Sequence, residues 1–486
     1  MAARAPLREM QPNTAEPPPG LTAEQQRGWD LVMREHRNVF VSGRAGCGKS
    51  FLVHHLVRAL RRQHTPSTVF VTATTGVAAC NIHGTTVHSF AGIGLGREDA
   101  AQLLAAMRPP AIKRWRAATV WVIDEISMLN AALLEKLNTI AQTLRGNKAP
   151  MGGIRVIAVG DFFQLPPVPD RGTRAEEVQF AFESSVWKAL FPSQCLIDLR
   201  TQMRQKDDPM LERLLNNIRV GNVPADAAQV FAAAGSGLEA LRTRGLKPTK
   251  LFATKKQVAA VNRAELARLD GAAVTLHAID AGSRSGIAQL HKHGRFVQTL
   301  ELKVGAQVML LYNLETKQGL VNGTLGTVVR FDGSAHSPIP VVLFHTRHGT
   351  REVIMKREVW EIMSGDMVIA SRTQYPLRLA YALTIHKSQG MTLPAMVVDM
   401  HRIFSAGQAY VALSRGTSLA TMGVHHFTPS AVHSDLRVLR FYHDAAKQRE
   451  ECIADTNKRG AEGGEGGGAA VGSSPPTKRL RATTAT

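Results

Sequence analysis

The sequence predicts an α/β protein built on parallel, doubly wound sheets, with a small β-barrel inserted into the second of two domains. Three observations lead there. Short apolar runs alternate with helix-like stretches, a glycine-rich loop joins one such run to a helix, and a segment of different texture interrupts the second half. Buried strands alternating with helices mark a parallel sheet covered on both faces. The chain has 486 residues, 44% hydrophobic and 20% charged, which is room for roughly two to four domains with real cores.

The elements follow in order. Residues 1–20 are Pro-rich, end in Glu-Pro-Pro-Pro-Gly and read as a flexible leader. From Leu21 to His36 the pattern is helix-like, and NVFVSG (38–43) follows as a strand. Further strand-like runs lie at 69–73, 120–124 and 154–161, with a helix over 131–146. These place a first domain at 21–195. A second set, with a strand at 251–254, a helix from Lys255 and a strand at 395–400, assigns 196–300 and 381–444 to a second domain. Between them, 301–380 holds short strands separated by Gly, Asn-Gly and Asp-Gly turns, the pattern of a small barrel. Residues 445–486 read as a flexible tail, low in complexity over 460–474.

Charge narrows the partner. Lys and Arg total 59 against 39 Asp and Glu, a formal net charge of +20. The leader is neutral and the tail from Ala445 carries +2, so +18 belongs to the body between them. Such an excess implies an anionic partner, and its placement favours nucleic acid lying across folded domains over a membrane surface. No apolar run approaches the roughly 18 residues of a spanning helix. Four scattered cysteines (Cys47, Cys80, Cys195 and Cys452) form no metal or disulfide pattern and fit a reducing compartment.

Gly43-Arg44-Ala45-Gly46-Cys47-Gly48-Lys49-Ser50 follows one strand and opens a helix, which is the context a phosphate-binding loop requires. Its glycines let backbone N–H groups turn toward β- and γ-phosphate oxygens, and the helix N-terminus adds partial positive charge. Lys49 would reach the terminal phosphates of ATP, and the Ser50 hydroxyl would bind Mg²⁺. Asp124 and Glu125 close the strand at 120–124. Asp124 would hold the Mg²⁺ and Glu125 would polarise the attacking water.

The strings TATTGVAACNIHGTTVHSFAGIGLG (72–96), DEISM (124–128) and GDFFQLPPV (160–168) resemble motifs of the Pif-one family of superfamily-one DNA helicases. The order continues with MRQKD (203–207), AYALTIHKSQGMTL (380–393) and GQAYVALSR (407–415). The sequence departs from the family pattern at Arg44, Cys47, His83, Gln142 and Met151, none of which removes a catalytic group. The resemblance implies two RecA-like domains, an SH3-like fold for the inserted barrel, and a short wedge insertion near 92–116. It implies that Gln25 reads adenine, Gln164 senses the γ-phosphate, Arg204 and Arg415 act as arginine fingers, and Gln389 and Gly390 contact phosphate. It places Thr75, His88, Phe90, Thr384, His386, Lys387 and Ser388 on the DNA. The implied activity is ATP-driven, 5′-to-3′ unwinding in genome maintenance, on single strands and on forked or partial duplex DNA, by a monomer. The alternative is a translocating subunit of a recombination complex. Lys478-Arg479-Leu480-Arg481 reads as a nuclear-import peptide. A mitochondrial destination is the alternative, faintly suggested by Arg4 and Arg8 and opposed by Glu9 and Glu16.

Overall fold

The computed structural model describes residues 16–462, apart from 170–171, 240–246, 294–295, 313, 316–317, 335, 347–348 and 365–366. The basic peptide near the C-terminus and most of the leader lie outside the described residues.

The first domain is a six-stranded parallel sheet. Its strands are β1 (Val39–Gly43), β2 (Val69–Ala73), β3 (Thr85–Thr86), β4 (Val120–Asp124), β5 (Arg155–Val159) and β6 (Leu196–Leu199), ordered β3-β2-β4-β5-β1-β6. Every residue of β1 and β4 is buried, as expected of strands covered on both faces. The helix Lys49–Gln63 packs with Leu52, Val53, Leu56, Val57 and Leu60, apolar positions three or four apart on one stripe. The helix Ala131–Arg145 begins at Asn130, whose side chain accepts from Leu133 N, and ends at Gly146 in the left-handed conformation.

The second domain is a smaller parallel sheet. It combines β7 (Thr249–Phe252) with three strands that follow a long β-rich excursion. That excursion comprises β8 (Val274–His277), β9 (Ile279–Gly282), β10 (Thr299–Leu302), β11 (Gln307–Leu310), β12 (Leu325–Ser334), β13 (Ser337–Thr346), β14 (Gly349–Ile354), β15 (Glu358–Ser364), β16 (Met367–Gln374) and β17 (Leu377–Leu379). The chain then returns as β18 (Ala382–Thr384), β19 (Met396–Asp399) and β20 (Met422–His425), giving the order β18-β7-β19-β20. The described strands of the excursion form antiparallel sheets of five (β14-β13-β12-β11-β17), three (β15-β16-β9) and two (β10-β8). A closed barrel is not among the described pairings.

Three expected boundaries move. β6 starts at Leu196 yet pairs with β1, so the first domain runs past 195. The inserted unit starts near Val274, not 301, because β8 and β9 pair with β10 and β16. Those strands are mostly exposed and carry no apolar run to announce them. Residues 445–462 belong to the helix Leu436–Glu462, where a tail was expected, and its start packs on the first domain. Phe441 stacks on Phe182, with centroids 4.4 Å apart, and contacts Phe40 and Phe162, while Val438 is 1% exposed in the same core. The polar sequence beyond Tyr442 continues the helix on good helix formers, which composition alone reads as tail.

Candidate nucleotide site and DNA-binding face

The phosphate loop leaves β1 at Gly43 and enters its helix at Gly48, which caps it in the left-handed conformation without a side-chain bond. A Cβ at Gly43 would lie 2.5 Å from Leu199 O, so glycine is required where the loop passes β6. Lys49 Nζ donates to Gly43 O (2.6 Å) and Arg44 O (2.9 Å), inside the curve of the loop. Ala45 N donates to the hydroxyl of Tyr410 at 2.8 Å. Cys47 is 1% exposed beneath the loop, with its Sγ close to Gly43. Ser50 is exposed in the first turn of the helix.

Gln25 lies against the same loop. Its Oε1 accepts from Thr22 N (3.1 Å), closing the capping box of the helix Ala23–Met33, and its Nε2 donates to Gly48 O (3.5 Å). The amide is therefore buried beside the phosphate loop.

Asp124 ends β4, and Glu125 follows at φ 53° and ψ 43°, left-handed backbone that a non-glycine residue adopts under strain. Asp124 Oδ1 accepts from Glu125 N at 2.8 Å. Burial, and then the neighbouring Glu125 carboxylate, push Asp124 up to about 7. Burial also raises Glu125, against the opposing pull of Lys49 and Arg415. Gln389 Nε2, from the second domain, donates to Glu125 Oε2 at 3.0 Å.

Arg415 is 1% exposed, donating to Val411 O (2.8 Å), Ser414 Oγ (2.7 Å) and Met391 O (3.4 Å). Burial and the neighbouring Arg204 lower it to about 9, with Tyr410 and Glu125 opposing. Arg204 Nη1 donates to Ser414 O at 2.8 Å, while its Cβ would lie 2.6 Å from one added at Gly46. The two arginines are thus neighbours on the face of the second domain that meets the phosphate loop. Gln164 is 5% exposed, and its Nε2 reaches Asp161 Oδ2 at 3.5 Å. Gly407 brings the second domain against it, since a Cβ there would lie 2.4 Å from both Phe163 O and Gln164 O. Gly390 turns the chain after Gln389 at φ 76°.

The proposed DNA contacts divide. His386 and Lys387 are exposed on the short helix Ile385–Ser388. Partial desolvation, Arg378 and Lys255 lower Lys387 to about 8, which marks a cluster of cations. Thr384 and Ser388 are corrections: Thr384 caps that helix by accepting from Lys387 N (3.3 Å), and Ser388 Oγ donates to Ile385 O (2.8 Å). With 6% and 0% exposure they shape the turn that presents His386 and Lys387. Phe90 is a further correction. It is 1% exposed among Phe70, Trp115 and Trp121, with centroids 4.6–5.1 Å away, so core packing claims the ring. Thr75 and His88 stay partly accessible, and Thr75 Oγ1 accepts from Ala78 N. In the segment near 92–116, Leu103, Met107, Ala111 and Trp115 join the core, and Leu95 stands out at 59% exposure between two glycines.

Sequence reasoning missed Tyr410, Arg219 and Tyr442. Tyr410 lies inside a quoted motif, but nothing in its spacing signals a bond to the phosphate loop. Arg219 reads as an ordinary cation ending a helix, and Tyr442 stands at the edge of an apparent tail. The only available signal was an aromatic pair, Phe441-Tyr442, in polar surroundings.

Residues 20–229 match the profile of PIF1-like helicases, and residues 289–331 match that of the 2B domain of DNA helicase Pif1. The crystal structure of Pif1 helicase from Candida albicans superposes with a TM-score of 0.75 at 41% identity, covering 87% of this chain and 99% of that one. The chain belongs to the PIF1-like helicase family. The ATP-dependent DNA helicase PIF1 of Homo sapiens is 39% identical over 87% of this chain and 64% of its own length. A Bacteroides Pif1 in complex with ADP-AlF4 superposes with a TM-score of 0.71 at 26% identity, covering 88% of this chain and 97% of that one. The chain spans between 55% and 65% of the length of the first four curated relatives it matches.

Proposed function

We propose that the chain is an ATP-dependent DNA helicase that moves 5′-to-3′ on single-stranded DNA and unwinds forked or partial duplexes. The observation that carries this reading is the junction at Glu125. An acid of the first domain accepts a hydrogen bond from Gln389 of the second and lies within the field of Lys49 and Arg415. A nucleotide on the phosphate loop is then a shared ligand of both domains, and its hydrolysis changes how they meet. A Bacteroides Pif1 crystallised bound to ssDNA supports the same view.

The donor set fits Mg²⁺: a serine hydroxyl and a carboxylate, both hard oxygen ligands, at Ser50 and Asp124. The ion would neutralise charge on the β- and γ-phosphates. Lys49 leaves the loop carbonyls for the terminal phosphates, and Glu125 takes the proton of the attacking water. Arg204 and Arg415 stabilise charge that develops on the transferred phosphoryl group when the domains close. Gln164 reports the γ-phosphate to the second domain through Gly407. His386 and Lys387, with Thr75 and His88 on the first domain, grip the strand and exchange it as the cleft opens and closes. The motor works as a monomer, and the peptide Lys478–Arg481 directs it to the nucleus for DNA repair, recombination and telomere maintenance.

Stimulation of ATP hydrolysis by single-stranded DNA tests this reading. We expect strong stimulation in the wild type and a loss on the order of 100-fold or more in Lys49→Ala. A hydrolysis rate indifferent to DNA would overturn it. Deleting residues 475–486 is expected to abolish nuclear accumulation; undiminished accumulation would remove the import assignment.

A further inference from the structure

Arg219 ends the helix Pro209–Arg219, whose apolar face packs in the core of the second domain. Its guanidinium crosses to the first domain and donates two bonds to Asp161, Nε to Oδ2 at 3.1 Å and Nη2 to Oδ1 at 2.8 Å. Asp161 is 0% exposed. The same carboxylate sets the loop that carries Gln164: Oδ1 accepts from Phe163 N at 3.2 Å and Oδ2 lies 3.5 Å from Gln164 Nε2. Gln164 N also donates to Asp161 O at 2.9 Å.

A third element closes the junction. Phe163 and Tyr442 stack, with centroids 4.9 Å apart and planes 13° apart, and Arg219 Cζ lies 4.5 Å and 5.5 Å from the two rings. The Tyr442 hydroxyl lies 2.6 Å from Ser42 Oγ, one residue before the phosphate loop, and accepts from Phe162 N at 3.2 Å. The C-terminal helix thus locks the Asp161–Gln164 loop to the strand that feeds the phosphate loop. A bidentate pair with no exposed carboxylate tolerates little misalignment, so Arg219 sets the placement of the Asp161 side chain within that anchored loop.

We propose that Arg219 is a positioning residue for the γ-phosphate sensor, holding Gln164 through Asp161 so that movement of the second domain sets the amide's placement, with Tyr442 keeping the pair aligned. This rests on the reading of Gln164 as that sensor. An open cleft withdraws the guanidinium and frees the Asp161 carboxylate and the Gln164 amide beside it, and a closed cleft seats both.

The test compares Arg219→Lys, Gln164→Ala and the double variant by steady-state ATP hydrolysis in saturating single-stranded DNA. Lysine keeps a cation beside Asp161 but cannot make the two-pronged bond. Arg219→Lys is expected to lower kcat about tenfold while KM for ATP moves less than about threefold, and to add no loss in the Gln164→Ala background. Losses that multiply in the double variant, a wild-type kcat in Arg219→Lys, or a change confined to KM would overturn the proposal. Gln164→Ala alone with wild-type kcat would instead remove the sensor reading beneath it. Should Arg219→Lys fail to fold, Tyr442→Leu, which removes the ring against Arg219 and spares the ion pair, enters the same comparison with the same expected outcomes.

Discussion

Gln389 of the second domain donates to Glu125 of the first across 3.0 Å, and Glu125 is held there in left-handed backbone. The bond makes the acid proposed to activate water sensitive to the position of the other domain. Replacing Gln389 with Ala removes a bond to a buried carboxyl group, worth about 1.5–3 kcal/mol, so DNA-stimulated kcat is expected to fall roughly 10- to 100-fold. Gln389→Glu, which faces Glu125 with a like charge, is expected to fall further. Steady-state hydrolysis across the two variants checks the order, and a Glu variant more active than the Ala variant contradicts it.

Phe90 packs with Phe70, Trp115 and Trp121 in the first domain. Phe90→Ala is expected to cost about 3–5 kcal/mol of stability in denaturant unfolding. Phe90→Leu, which refills most of the space, is expected to keep single-stranded DNA affinity within about twofold by fluorescence anisotropy. A folded Leu variant that loses DNA binding would return the ring to the DNA face.

Lys387 is lowered to about 8, so its ammonium is present below that value and lost above it. Affinity for single-stranded DNA is therefore expected to fall as pH rises from 7 to 9. Lys387→Arg, charged throughout, is expected to flatten that dependence, and Lys387→Ala to reduce the salt slope by about one. Anisotropy titrations at three pH values decide it, and parallel curves for the wild type and the Arg variant contradict the assignment.

The helix Leu436–Glu462 places Val438, Phe441 and Tyr442 against the first domain. A chain ending after residue 435 is expected to lose several kcal/mol through that exposed apolar surface, whereas one ending after 462 is expected to melt as the full chain does. Thermal unfolding of the two truncations measures the contrast.

The parallel sheets and the phosphate loop were legible because they rest on local patterns. Val39–Gly43 and Val120–Asp124 are continuous apolar runs, and the loop between strand and helix dictates its own glycines. Lys49, Asp124 and Glu125 could be located because they sit at fixed offsets from those strands. Thr384, Ser388 and Phe90 were misjudged for one physical reason. A hydroxyl or ring suits DNA and suits a cap or a core equally, and burial decides between them. Strands β8 and β9 were missed because their residues are mostly exposed, and Arg219 and Tyr442 because their partners are remote in sequence.

The central claim is that closure of two domains on ATP drives directional strand separation. Strand displacement on paired forks, one with a single-stranded 5′ arm and one with a single-stranded 3′ arm, tests it most directly, with Lys49→Ala alongside. The account predicts ATP-dependent unwinding of the 5′-tailed substrate, little on the 3′-tailed one, and none by Lys49→Ala. Unwinding of the 3′-tailed substrate alone, or equal strand release by Lys49→Ala, would contradict it.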